Sequence, residues 1–355
     1  TDLRVMHVMG GGDVGGAKTQ IMNTVTGLSR TNDVMLISFR AGPFADEARE
    51  RGIDVRVIER HNPFRAARTM RDLVDEFKPD IIHCHGGRAN LMGAMVRRSR
   101  RIPIITTVHS DYRLDYLGSP LKQHTLGTAN AIALRFLDFY QPVADRMART
   151  LIERGFDPER IVKIYNGMEF NRPEGEFDRA AYLRETYGAE IEEGDVLCGI
   201  AARLTAVKDI ATTVRGFAEA LKTAPQLRLF IAGDGEDADM LKKLCDQLGV
   251  RERVTFCGWV SPVMPFFRAM DINLLSSVSE TFPYSILEGV CAGCATICSD
   301  VGGMPELIDT GENGYIFPVG DDKKLAEYMA RLANDAALRH TFAEALYAKA
   351  SRDFS

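Results

Sequence analysis

The feature that most constrains this chain is a regular alternation of short apolar runs with helix-patterned stretches. The runs at 3–9, 34–39, 55–58, 80–85 and 103–109 read LRVMHVM, VMLISF, VRVI, DIIHCH and PIITTVH. Their length and β-branched content predict strands, while segments such as AKTQIMNTVTGLSR and RAARTMRDLVDEF between them have apolar residues at helical spacing. The pattern restarts with strands expected at 196–202, 227–233, 253–258, 271–277 and 295–300, and YIFPV at 315–319 as a last one. Strands separated by helices cannot pair as hairpins; they form parallel sheets covered on both faces. Two such series predict an α/β chain of two doubly wound, Rossmann-like domains. Residues 162–164 and the turn Tyr165-Asn166-Gly167 close the first series. A polar stretch with one short helix then links the halves, placing the boundary between residues 168 and 169. Ligands of such sheets sit beyond the carboxyl ends of the strands, so the expected site is an interdomain cleft faced by both sets of loops.

Composition narrows the class. No apolar run approaches the roughly 20 residues that cross a bilayer, and the start, TDLRVMHVM, enters a strand without a basic-then-apolar leader. The seven cysteines are an odd number, and Cys84, Cys198 and Cys257 sit in apolar runs, which predicts reduced, buried thiols in a cytoplasmic protein. Cys291, Cys294 and Cys298 have a metal-like spacing, but their neighbours are small or apolar and no fourth ligand is near, so they too read as core. Residues 1–170 hold 25 Lys and Arg against 20 Asp and Glu, whereas the remaining 185 hold 19 against 29. A basic first half with Arg97, Arg98, Arg100 and Arg101 suits phosphates or an anionic membrane surface, although a solvated helix end is the better reading of any one such cluster. Nothing points to nucleic acid.

The loops after the strands hold the chemistry. Gly10-x-Gly12-x-x-Gly15, followed by Gly16, matches the dinucleotide fingerprint between a strand and a helix. The next strand ends Ser38-Phe39-Arg40, which lacks the acid that binds the ribose of NAD and leaves NADP open through Arg40. In the second half, Arg203 and Lys208 flank a strand-to-helix turn where a guanidinium fork and an ammonium could grip a diphosphate. Gly233-Asp234-Gly235-Glu236 ends another strand. The stretch SETFPYSILE at 279–288 places Glu280 in a loop, Pro283 in a helix's first turn and Glu288 about a turn and a half inside. Buried carboxylates need partners; Glu288 could accept from paired ribose hydroxyls and Glu280 from a sugar beyond the diphosphate. Asp237-x-Asp239 imitates a metal-binding pair, but its place after a glycine turn suits a helix start.

Taken in order, Arg203-x4-Lys208, GDGE, Glu280-x7-Glu288, VGGMPELI at 301–308 and GYIFPVGD at 314–321 resemble the retaining family-4 glycosyltransferases of the GT-B fold. The first half is similar too, through its glycine loop, HCHG at 83–86, the TVHS that contains His109, and YNGMEF at 165–170. The resemblance covers nearly the whole chain. It implies an acceptor-side domain at 1–168, a nucleotide-sugar-binding domain at 169–355, and transfer of a sugar with its anomeric configuration kept. It implies no metal and no cofactor other than the nucleotide diphosphate sugar, with a UDP-sugar preferred because no acidic side chain near 258–260 reads guanine. Arg203 and Lys208 would bind the diphosphate with Gly15, Gly16, Phe282, Pro283 and Tyr284, Glu288 the ribose, and Gly258 to Val260 the base. His109 and Glu280 would act on the sugar as the catalytic pair. The acceptor would be a glycan or lipid-linked intermediate, met in the cytoplasm or at the inner membrane face. Two departures stand out: Pro283 removes one amide where relatives have a glycine nearby, and the sequence stops at SRDFS before the last helix that crosses back in relatives. A nucleotide-sugar epimerase of the same fold is the second reading and an NADP-linked oxidoreductase the third.

Overall fold

The computed structural model describes residues 3–10, 16–59, 62–97, 99, 101–109 and 123–355. The chain divides into two units, residues 1–166 and 167–355. Among the described residues each unit is built on one six-stranded sheet, and every pairing between strands is parallel.

Unit 1 contains β1 (Arg4–Met9), β2 (Asp33–Ser38), β3 (Asp54–Val57), β4 (Ile81–His85), β5 (Ile104–Val108) and β6 (Phe139–Pro142), in the order β3-β2-β1-β4-β5-β6. Unit 2 repeats that order with β7 (Val196–Ala201), β8 (Leu227–Ala232), β9 (Val254–Gly258), β10 (Ile272–Leu275), β11 (Ala295–Ser299) and β12 (Tyr315–Phe317), arranged β12-β11-β10-β7-β8-β9. Helices connect the strands and cover both faces, which is why strands such as β8, LRLFIA, are apolar at almost every position. In each sheet the chain order reverses once, between β1 and β4 and between β7 and β10. This is the point where an open α/β sheet leaves a crevice for a ligand.

One strand departs from the sequence expectation. The first sheet ends on β6, FYQP, and not on residues 162–164, which run beside it with backbone bonds from Val162 to Tyr140 and from Ile164 to Pro142 but pair only through a single bridge at Ile161. Four residues ending in proline lack the period that marks a strand. At a sheet edge, the position proline tolerates, the neighbour β5 supplies the pairing.

Candidate active site

In unit 2 the expected donor-binding residues gather at the carboxyl ends of β7 and β10, the switch point of the sheet. After β7, the Leu204 N–H donates to the Asp234 carbonyl at 2.9 Å, and the Asp237 N–H donates to the Leu204 carbonyl at 3.0 Å. The turn that presents Arg203 is thereby laced to the loop after β8. Glycine permits this: Gly233 has φ +133°, and a Cβ there would stand 1.8 Å from the Ala202 carbonyl oxygen. Arg203 itself is exposed.

The loop bearing Lys208 is fastened to the end of β10. The Ser276 hydroxyl donates to the Asp209 carbonyl at 2.8 Å, with the Lys208 carbonyl 3.1 Å away, and accepts from Thr213 at 2.8 Å. Asp209 then caps helix Ile210–Ala220, its carboxylate accepting from the Thr212 hydroxyl at 2.6 Å. Glu280 follows β10. Its Oε1 forms an ion pair with Nζ of Lys208 and accepts from the Ser277 hydroxyl at 2.8 Å. Two residues assigned from sequence to different parts of a donor are therefore in contact here. The turn of VGGMPEL seats this loop from below: Gly302 has φ +52°, a Cβ there would meet the Thr281 carbonyl oxygen at 2.2 Å, and the Gly303 N–H donates to that oxygen at 2.7 Å.

Helix Tyr284–Ala292 starts beside this pair. Pro283 is its cap residue, with ψ 128°, and does not occupy the first turn as the sequence suggested. The first N–H groups of the helix are those of Tyr284 and Ser285. The side chain of Phe282 is core, stacked on Phe354 with ring centroids 5.0 Å apart, and Tyr284 is buried with its hydroxyl donating to the Gly167 carbonyl at 3.3 Å. Both side chains are therefore committed to the core of unit 2. Asn273 of β10 ties the helix down by donating to the Ser285 carbonyl at 3.0 Å. Glu288, the fifth helical residue, is half-buried and has no hydrogen-bond or ion-pair partner among the described residues. Burial pushes its carboxyl pKa up to about 7.

Gly258 ends β9, where its carbonyl accepts from the Gly233 N–H at 2.6 Å, and Val260 packs on the core of the unit. Between them Trp259, the single tryptophan of the sequence, is 63% exposed. The sequence pointed to Gly258 to Val260 without singling it out; a lone tryptophan inside that loop was the available signal.

In unit 1, His109 follows β5 and burial lowers its pKa to about 4. It belongs to a group the sequence did not disclose. Nδ1 of His7 lies 3.1 Å from Nε2 of His85, Nε2 of His109 lies 3.4 Å from Nδ1 of His85, and His83 stacks on His85 at 4.3 Å. Ligand atoms of His7, His83 and His85 fall within 4.8 Å of one another, a spacing a divalent ion could bridge. These ligands are neutral imidazoles, and among the described residues no carboxylate joins them. Gly15 and Ser110 lie outside the described residues, and Gly16 opens helix Gly16–Leu28.

Other expected features are structural. Arg97 forms a forked ion pair with Asp138, whose carboxylate also accepts from the Ile104 N–H, so Arg97 is engaged within unit 1. Arg98 and Arg100 lie outside the described residues. Cys291 and Cys294 donate separately to the carbonyls of Asn171 and Phe267, and burial pushes both thiols up. Asp237 and Asp239 stand at the start of helix Ala238–Gln247. A cavity of about 270 Å³ lined by Arg172, Arg179 and Arg268 lies near the other end of helix Tyr284–Ala292. Its arginines are engaged with Glu344, Asp271 and the Gly175 carbonyl.

The sequence pattern described as Glycosyltransferase Family 4 matches residues 14–172, and that described as Glycosyl transferases group 1 matches residues 188–349. The chain belongs to the family-4 glycosyltransferases. N-acetyl-alpha-D-glucosaminyl L-malate synthase of Bacillus anthracis is 27% identical to this glycosyltransferase over 78% of this chain and 71% of its own. Alpha-monoglucosyldiacylglycerol synthase of Streptococcus pneumoniae is 25% identical over 83% and 69%. Anabaena Alr3699/HepE in complex with UDP-glucose superposes with a TM-score of 0.87 at 22% identity, covering 99% of this chain and 96% of that one, which shows the GT-B fold. With the family shown, the glycine loop of this glycosyltransferase is no reason to read it as an NADP-linked oxidoreductase. Among the described residues no helix is long and apolar enough to cross a membrane.

Proposed function

We propose that this glycosyltransferase moves a sugar from a UDP-sugar to a glycan or lipid-linked acceptor, keeping the anomeric configuration and using no metal. The observation that carries the reading is the convergence, at one switch point, of two cations, a helix N-terminus and a half-buried carboxyl group without a partner among the described residues. Unit 2 is accordingly the donor-binding domain and unit 1 the acceptor side. Arg203, Lys208 and the first N–H groups of helix Tyr284–Ala292 stabilise the charge that grows on the diphosphate as the glycosidic bond breaks. Glu288 accepts from the ribose hydroxyls, Gly258 to Val260 meet the base, and Gly15 and Gly16 support the phosphates from the first glycine loop. Glu280 and His109 act on the sugar. The leaving phosphate oxygen takes the proton of the incoming hydroxyl on the same face, which retains configuration. The choice of UDP is supported by HepE, solved with UDP and with UDP-glucose.

The test is consumption of UDP-glucose, with UDP release followed in the presence of EDTA and of magnesium. Equal rates in both, with faster turnover when a glycan or glycolipid acceptor is added, agree with the proposal. Activity lost to EDTA and restored by magnesium overturns the metal-free route, and acceptor-independent conversion to another UDP-sugar replaces transfer by epimerisation.

A further inference from the structure

Of the four clustered histidines in unit 1, the proposed chemistry uses only His109. His83 and His85 share one face of β4, two residues apart, and His7 pairs with His83 in register on β1. His85 is bonded at both ring nitrogens, through Nε2 to Nδ1 of His7 and through Nδ1 to Nε2 of His109. The three rings therefore form a chain, His7–His85–His109. At its inner end, Nε2 of His7 is buried and has no partner among the described residues. His83 stands beside the chain, its Nε2 2.7 Å from the Thr107 hydroxyl.

Burial lowers the pKa of all these rings, so they are neutral near pH 7. A neutral imidazole has one N–H and one lone pair. Because His85 uses both nitrogens, it must accept at one and donate at the other, and the protons of all three rings must shift together. If they point inward, Nε2–H of His7 becomes a buried donor with no acceptor. If they point outward, only a lone pair is left there. Among buried backbone groups an orphaned N–H is rarer than an under-satisfied acceptor, and carried over to these rings that rule favours the outward direction.

We infer that His7 and His85 are positioning residues: the chain His7 Nδ1–H to His85 Nε2, then His85 Nδ1–H to His109 Nε2, holds His109 in the tautomer with its proton on Nδ1. The hydrogen bond at one ring nitrogen decides what the other nitrogen offers. The tautomer is inferred from the chain; its effect on rate rests on the reading of His109 as a sugar-side group.

The experiment is nitrogen NMR of the full chain labelled with 15N-histidine, with parallel kinetics on UDP-glucose. In the wild type His7, His85 and His109 should all show protonated Nδ1. Asn at position 7 can keep a donor near the place of Nδ1, whereas Leu cannot. His7→Asn should therefore retain the tautomer of His109 and its turnover. His7→Leu should give a mixture containing the Nε2–H form, with kcat down about 10-fold and KM for UDP-glucose little changed. Thr107→Val, which removes only the partner of His83, should leave the tautomer of His109 as it is. A wild-type His109 protonated on Nε2 overturns the inference, even if the Leu variant fails to fold, and so do Asn and Leu variants with the same spectrum. A changed tautomer with unchanged turnover upholds the chain and removes His109 from the transfer reaction.

Discussion

Glu288 has an elevated pKa because burial removes water from its carboxylate and no cation replaces it. The consequence for stability has a definite sign. The unfolded chain ionises this group near 4.5, the folded chain only near 7, so stability is lost as pH rises between those values and the full loss persists above them. Glu288→Gln should raise the melting temperature at pH 8 by a few degrees and leave it unchanged at pH 4. The same variant should weaken UDP, because an amide is a poorer acceptor for two ribose hydroxyls than a carboxylate. Scanning calorimetry at both pH values and a UDP titration check the pair of effects; a variant less stable at pH 8 would show that Glu288 serves the fold. The Lys208–Glu280 ion pair carries a second prediction. Glu280 competes with a diphosphate for Lys208, so Glu280→Ala should bind UDP at least as tightly as the wild type. Its turnover of UDP-glucose should fall roughly 30- to 1000-fold, the about 2–4 kcal/mol of one electrostatic contact made in the transition state. Loss of UDP affinity in that variant would show that Glu280 holds the nucleotide.

The element that sets Lys208 in place is the Asp209 cap, a non-glycine residue at φ +42°. Asp209→Ala removes the cap and keeps the backbone strain, costing about 1–2 kcal/mol. Asp209→Asn keeps an accepting oxygen and tolerates the left-handed backbone, so denaturant unfolding should find it close to wild type. Equal losses in the two variants would deny the capping role. At this scale the sequence was largely legible. Eleven of the twelve strands among the described residues stand where apolar runs predicted them, because parallel strands buried on both faces write their burial directly into composition. FYQP was not legible, since its pairing is imposed by β5. Lys208 and Glu280 could be placed at strand ends, and Glu288 inside a helix, from the sequence, but their contacts could not. Neither the ion pair of Lys208 with Glu280 nor the chain of His7, His85 and His109 joins residues near in sequence, and strand order alone brings them together.

For the whole molecule, the cluster in unit 1 makes acid the vulnerable direction. His7 is fully buried against His83 and His85, and has its pKa lowered from 6.5 to about 4. The unfolded chain takes up that proton first, so stability is full above pH 6.5 and falls as pH drops towards 4. His7 alone accounts for about 3 kcal/mol of that loss. A His7→Asn variant should therefore show a shallower decline of melting temperature between pH 6.5 and 4; an identical slope would mean the ring is not held neutral. The central claim is that the switch point of unit 2 grips a nucleoside diphosphate through Arg203 and Lys208. Isothermal titration of UDP into the full chain, wild type beside Arg203→Ala and Lys208→Ala, tests it most directly. Saturable one-to-one binding is expected for the wild type, weakened about 10- to 100-fold in each variant, the about 1.5–3 kcal/mol of a charged hydrogen bond. No UDP binding by the wild type, or equal affinities in all three proteins, would contradict the account.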